Sequence, residues 1–351
     1  MPVQTSRTEF GRIHPPDERW LARALPEPAV EAELPIVDTH VHFWHSSDDH
    51  RYFVEDYARD IADSGHDVAA SVYVECGSMY RAAGPAEFRC VGETEFAVGM
   101  SAVGASGRYT TSRVADRIVS FADLALGDRL GDVLDAHLAA ANGRLAGIRH
   151  RAKWDPQPAV RGLWAAGGPG LYLEPQFQRG LRQVAKRGLS FDASVFHPQI
   201  PDVTALARAV PEANVVLIHS GSPVGHCGYA GRAAEVHGTW LDAMAELATL
   251  PNVVVKMGGI LMPLANFDFG VESRPPTSEE LAQLWRPYIE PCVELFGAER
   301  CMVASNFPVD KAGFGYGTVW NMFKRITAGY SDNEKRAIYT GTAERIYGIS
   351  R

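Results

Sequence analysis

The residues best suited to chemistry in this chain are His40 and His42, in the run Ile36-Val37-Asp38-Thr39-His40-Val41-His42-Phe43-Trp44. Strand side chains alternate between faces, so regular pairing puts Asp38, His40 and His42 on one side and Val37, Thr39, Val41 and Phe43 on the other. Two imidazoles beside a carboxylate can hold a divalent metal or move protons near neutrality. The same pattern also suits a half-buried strand whose polar face meets water, and position in the fold decides between the two.

Other reactive side chains fall at the ends of apolar runs. His197 follows Ser194-Val195-Phe196, and His219 closes Val215-Val216-Leu217-Ile218. Glu75 ends Val72-Tyr73-Val74, where it is a candidate base, and Asn306 and Asp310 lie in Ser305-Asn306-Phe307-Pro308-Val309-Asp310. The amide of Asn306 cannot serve as a base near neutral pH, although its carbonyl oxygen can coordinate or orient. A basic cluster, Arg149-His150-Arg151-Ala152-Lys153, offers Arg149, His150 and Arg151 as substrate-binding candidates, with Arg149 and Arg151 on one face, able to grip a substrate carboxylate or to form structural ion pairs. Lys256, inside an apolar run, reads first as half of a buried salt bridge and second as a substrate contact. Trp44, Tyr52, Tyr73, Trp154 and Trp164 could stack on a planar ring or simply order their loops.

These positions call for a framework that brings strand ends together. Apolar runs bounded by turn residues predict strands at 36–44, 68–75, 117–124, 145–151, 190–195, 214–220, 252–258 and 301–306. Helical periodicity falls between them at 54–63, 93–105, 129–141, 174–187, 203–210, 238–250 and 278–296. The last carries Pro287 and Pro291, so a kink or split is expected there. Alternating β and α units predict a parallel sheet, and eight of them a closed (β/α)8 TIM barrel. No GxGxxG follows the first strand, as a dinucleotide-binding sheet would require. Long irregular stretches follow strands and short ones precede them, which suits a barrel whose active site opens at the C-terminal face. The expected organisation is one domain, 36–351, preceded by a proline- and charge-rich arm, 1–35.

Composition narrows the partners. With 46% hydrophobic and 22% charged residues the chain can bury a large core, and a formal net charge of -8 leaves no footprint for nucleic acid or an anionic membrane. The five cysteines are widely spaced without a CxxC, which fits reduced thiols and a cytoplasmic location. There is no signal-peptide core, nor the roughly 18 apolar residues of a membrane span. A small-molecule substrate is the expected partner, with homo-oligomer formation left open.

The HxH on strand one, the histidines after strands five and six, and Ser305-Asn306-Phe307-Pro308-Val309-Asp310 after strand eight together resemble the amidohydrolase superfamily. The closest resemblance is to its amidohydrolase-related branch of lactonases and decarboxylases. That resemblance implies a (β/α)8 barrel from about residue 36 onward, with His40, His42 and His197 as metal ligands and zinc as the expected divalent ion. It also implies that His219 is a ligand or a polariser of substrate or water. The branch includes metal-independent pyrone lactonases that bind carboxylates through arginines. The family's strand-eight residue is normally an aspartate that takes the proton of the attacking water, and here it is Asn306. His219, Glu75 or Asp310 would then have to act as base. Three functions are open: hydrolysis of a lactone or related ester of an acidic or aromatic molecule, non-oxidative decarboxylation of an aromatic or dienoic acid, and ligand binding without turnover.

Overall fold

Short runs of β-branched residues such as Val68–Val74 and Val253–Met257 are too short for a stable helix, and both of their faces are buried, as parallel strands require. The computed structural model describes residues 13, 15–47, 50–161, 167–259 and 273–350. In it the eight parallel strands are Ile36–Val41, Val68–Val74, Arg113–Phe121, Leu145–Arg151, Ser190–Ser194, Asn214–Ile218, Val253–Met257 and Cys301–Val303, each paired with the next. The ring closes through a parallel bridge between Val41 and Phe307. Two further backbone bonds complete it, Asn306 N to His40 O at 3.0 Å and His42 N to Phe307 O at 2.8 Å. This is a (β/α)8 barrel.

Two apolar clusters follow from the alternation. Val37, Val72, Val74, Val119, Val216, Val254 and Met302 fill the inside, and Tyr347 and Ile349 from the chain's end join them. Ile36, Val41, Phe43, Ile118, Val215 and Val303 face outward onto the helices.

The first strand breaks the expected alternation. Its pairing with the second strand is irregular between Asp38 and Val41, so Asp38 does not share a face with His40 and His42. Its carboxylate turns outward, where it accepts from Tyr57 Oη (3.2 Å), Tyr316 Oη (2.8 Å), Ser305 N (2.9 Å) and Ser305 Oγ (2.6 Å). The irregularity reverses the facing within a few residues. The histidines therefore enter the barrel, while Asp38 fastens the first strand to the eighth and to two flanking helices.

Other boundaries also moved. The third strand begins at Arg113 and ends at Phe121, earlier than the apolar run suggests, with Ala115 at φ 47° interrupting its first half. The stretch after the first strand forms a hairpin, Trp44–Ser47 against His50–Tyr52. Ser278–Phe296 runs as one unsplit helix despite its prolines, opened by a reciprocal Thr277 and Glu280 cap. The described part of the N-terminal arm lies on the barrel, with Trp20 buried and its Nε1 donating to Gly313 O at 2.9 Å. All five cysteines are free thiols, and among the described residues no helix is long and apolar enough to cross a membrane.

Candidate active site

The C-terminal ends of the strands surround a small cavity of about 60 Å³. His42, Trp44, Cys76, Arg149, Arg151, Lys153, Ser194, His219, Gly259 and Asn306 line it, contributed by seven of the eight strand ends. Two of the liners, His219 (φ 54°) and Asn306 (φ 58°), sit in the left-handed region. That conformation is costly for a histidine and signals a geometry imposed by its surroundings.

Backbone carbonyls fix the two lining imidazoles. His42 Nδ1 lies 2.7 Å from Val74 O, and His219 Nδ1 lies 2.9 Å from Gly258 O. Each ring thus carries its proton on Nδ1 and keeps Nε2 as its free acceptor. Burial, then the Arg149 charge, pushes the His42 imidazole down to about 3. Burial, then Lys153 and Arg149, holds His219 well below the usual histidine range. Gly259 is required beside His219, because at φ 60° a Cβ there would fall on the imidazole ring.

His40 lies behind them, fully buried, its ring centroid 4.8 Å from that of His42 and 4.6 Å from that of His219. Its Nε2 faces Arg149 Nη1 at 3.3 Å, and its Nδ1 is buried without a hydrogen-bond partner. Arg149 is gripped by Glu75, whose Oε1 accepts from Nε at 2.7 Å and whose backbone carbonyl accepts from Nη2. Arg151 Nε lies 3.7 Å from the same carboxylate. Burial pushes the Glu75 carboxyl up, but the two guanidiniums outweigh it and hold the group below the usual carboxylate range. Glu75 is therefore an ionised clamp and a poor base. Asn306 donates its side-chain N–H to Asp310 Oδ1 at 2.9 Å, which leaves the amide oxygen as its acceptor. Asp310 lies behind the amide, and burial pushes its carboxyl up to about 8.

Four residues singled out from the sequence lie elsewhere. His197 accepts from Val224 N at 3.3 Å and packs against Tyr229 beside Val160 and Phe196, away from His40 and His42. His150 faces outward between Phe121 and Phe177, accepting from Leu124 N. Tyr52 stacks on Phe43 and donates to Asp60. Lys256 is inside the barrel but bound to Asp192 Oδ2 (2.7 Å) and Thr39 O (2.9 Å). Trp164 lies outside the described residues. Lys153, which the sequence shows only as the end of the basic cluster, continues the alternate spacing of Arg149 and Arg151 and lines the same cavity.

A profile of the Amidohydrolase family matches residues 37–349. The chain belongs to that family. It is an amidohydrolase-related hydrolase, 30% identical to the uncharacterised protein y4mH of Sinorhizobium fredii over 91% of this chain and all of that one. It is also 28% identical to an L-fucono-1,5-lactonase of Burkholderia multivorans, over 50% of this chain and 57% of the lactonase. Among solved structures, an amidohydrolase of Burkholderia multivorans with bound zinc superposes with a TM-score of 0.68 at 23% identity, covering 90% of this chain and 99% of that one. A 2-pyrone-4,6-dicarboxylic acid hydrolase of Pseudomonas putida, described as putative, superposes at 0.59 and 18% identity over 90% and 98%. At those identities the likeness is one of fold.

The donors present do not fit a resident divalent metal. Among the described histidines, His42 and His219 present Nε2 to the cavity, whereas His40 has Nε2 against a guanidinium and Nδ1 buried behind them, His197 packs against Tyr229, and strand eight offers an amide. Among the described residues no group of three or more His, Cys, Asp or Glu is placed to hold a metal ion. Arg149, Arg151 and Lys153 also make the cavity cationic, which repels a further cation and attracts an anion.

Proposed function

We propose that this protein hydrolyses a lactone or related ester of an acidic small molecule, using its own side chains rather than a metal. The observation that carries the reading is the cavity lining itself, where three cationic side chains face two imidazoles held neutral with Nε2 free. Arg151, only loosely tied to Glu75, and Arg149 would hold the substrate carboxylate. Asn306 would orient the attacking water through its amide oxygen, and His219 Nε2 would take the proton from that water.

The charges make this sequence of events coherent. The cations around His219 disfavour an imidazolium while the cavity holds no anion. An anionic substrate offsets them, so His219 becomes a better base as the substrate binds. The lactonase name of the Burkholderia multivorans relative and the pyrone hydrolase fold neighbour support ester hydrolysis. Decarboxylases share the fold at 12% identity. Asn306 favours that second reading to the extent that decarboxylation requires no base to activate water.

The test is a screen of sugar lactones, pyrone carboxylates and aromatic acids with protein dialysed against a chelator, following both acid release and CO₂. Lactone opening by metal-depleted protein supports the proposal. CO₂ release without lactone opening, or activity restored only by added zinc, refutes it.

A further inference from the structure

Ring opening needs a proton acceptor for the water and a proton donor for the departing ring oxygen. The imidazoles supply acceptors, and the donor has to be sought among the remaining lining groups. Arg149 and Arg151 hold their protons too tightly to donate them. Burial pushes the Cys76 thiol well above its ordinary value, and Asp310 lies behind Asn306. Lys153 remains. It stands two residues beyond Arg151 on the loop that leaves the fourth strand, is buried with 7% of its surface exposed, and lines the cavity with His219 and Asn306. Its ammonium lies 5.2 Å over the Phe196 ring, which holds the stem against the wall.

Building on the lactonase reading, we propose that Lys153 is the general acid that protonates the leaving alkoxide. Water oxygen bonds to the acyl carbon as its proton passes to His219 Nε2. The bond from the acyl carbon to the ring oxygen then breaks with its electron pair on oxygen, which takes a proton from Lys153 Nζ. Proton return from His219 to Lys153 through solvent restores both groups, and the net change is lactone plus water to hydroxy acid. Burial, then Arg149 and Arg151, brings the Lys153 ammonium down to about 7, where proton donation is efficient at neutral pH.

The experiment varies the leaving group. Wild type, Lys153→Met and Lys153→Arg are compared on a carboxylate-bearing δ-valerolactone, whose leaving group is an alkoxide, and on a carboxylate-bearing dihydrocoumarin, whose phenolate departs without a proton. Lys153→Met should lower kcat on the alkyl lactone by about 100-fold or more, in the range of general acid catalysis, and on the aryl lactone by less than about 10-fold. Lys153→Arg keeps the charge and the fold but not the transferable proton, so it should fail on the alkyl lactone in the same way. Equal losses on both lactones, or recovery by Lys153→Arg, overturn the proposal while leaving lactonase activity standing. A wild type that opens neither these lactones nor any in the wider screen refutes the hydrolase reading and this proposal together.

Discussion

Replacing Lys256 with Met tests whether that residue belongs to the scaffold or to the substrate. Lys256 and Asp192 are both fully buried, with Nζ 2.7 Å from Oδ2. The second bond of Nζ goes to Thr39 O at 2.9 Å, within the irregular part of the first strand that turns His40 inward. Met fills similar volume but leaves Asp192 with the Tyr347 hydroxyl, at 3.1 and 3.2 Å from its two oxygens, and removes the Lys256 donor from the Thr39 carbonyl. Breaking a buried pair in this way costs about 3–5 kcal/mol. Proton uptake sets a ceiling, because neutralising an ordinary carboxylate at pH 7 costs about 4 kcal/mol. At pH 5 the same neutralisation costs about 1.5 kcal/mol. The charge penalty therefore shrinks as pH falls, and about 1 kcal/mol for the lost hydrogen bond to the carbonyl persists at both values.

Urea unfolding of wild type and variant at pH 7 and pH 5 measures this directly. With a slope of roughly 3 kcal/mol per M or more for a chain of this size, the midpoint should fall by about 1 M at pH 7 and by clearly less at pH 5. Adding Asp192→Leu to the variant should recover part of the loss, since no buried charge is then left alone. An unchanged midpoint with a raised KM for an acidic lactone would refute the scaffold assignment and return Lys256 to the substrate. An equal loss at both pH values would refute the electrostatic account.

Arg151→Met should raise KM for an acidic lactone by about 10- to 150-fold, the worth of one hydrogen bond to a charged group, and should leave a neutral lactone nearly unaffected. Steady-state kinetics on the matched pair decide it, and equal effects on both would remove the carboxylate role. Gly259→Ala forces a side chain into a left-handed position at about 1–2 kcal/mol and pushes on His219, so kcat should fall together with thermal stability. Unchanged kcat would mean that His219 need not hold its place. Asp310, with its carboxyl pushed up to about 8, binds a proton in the folded state that the unfolded chain releases near pH 4. Its contribution to stability is fully present below about pH 4 and is lost as pH rises toward about 8, so wild-type stability falls over that window. Asp310→Asn removes the term and should flatten the slope of melting temperature against pH over that window, whereas an unaltered slope would contradict it.

The barrel was legible because each strand needed only a short apolar run and each helix only its periodicity. The loop asymmetry pointed to the C-terminal face, and His42, His219, Arg149, Arg151, Asn306 and Trp44 line one cavity there. What failed to show in the sequence was local deviation from regular geometry. The irregular pairing after Asp38 carries no signature in Asp38-Thr39-His40, yet it decides which side chains enter the barrel. His150 has the same problem in reverse, since alternation from Arg149 and Arg151 already places it outside. His197 stands at a strand end like His219, but the short helical turn that begins with it faces its ring to Tyr229. Only contacts distant in sequence distinguish those two histidines.

The amide at position 306 and the guanidinium against His40 make sense as one arrangement. A divalent ion among histidines is ordinarily balanced by a carboxylate, and removing that carboxylate from strand eight would leave the ion under-neutralised. Here the positive charge comes from Arg149, Arg151 and Lys153, and its carboxylate partner is Glu75, directly after the second strand and bonded to Arg149 at 2.7 Å. An aspartate at 306 would lie beside Asp310, whose carboxyl already resists ionisation, and two adjacent carboxyls cannot both ionise there. Asn306 keeps an acceptor for water while leaving the cavity with more positive than negative charge. That excess is what an anionic substrate would offset, and under the proposed function its arrival would raise the basicity of His219.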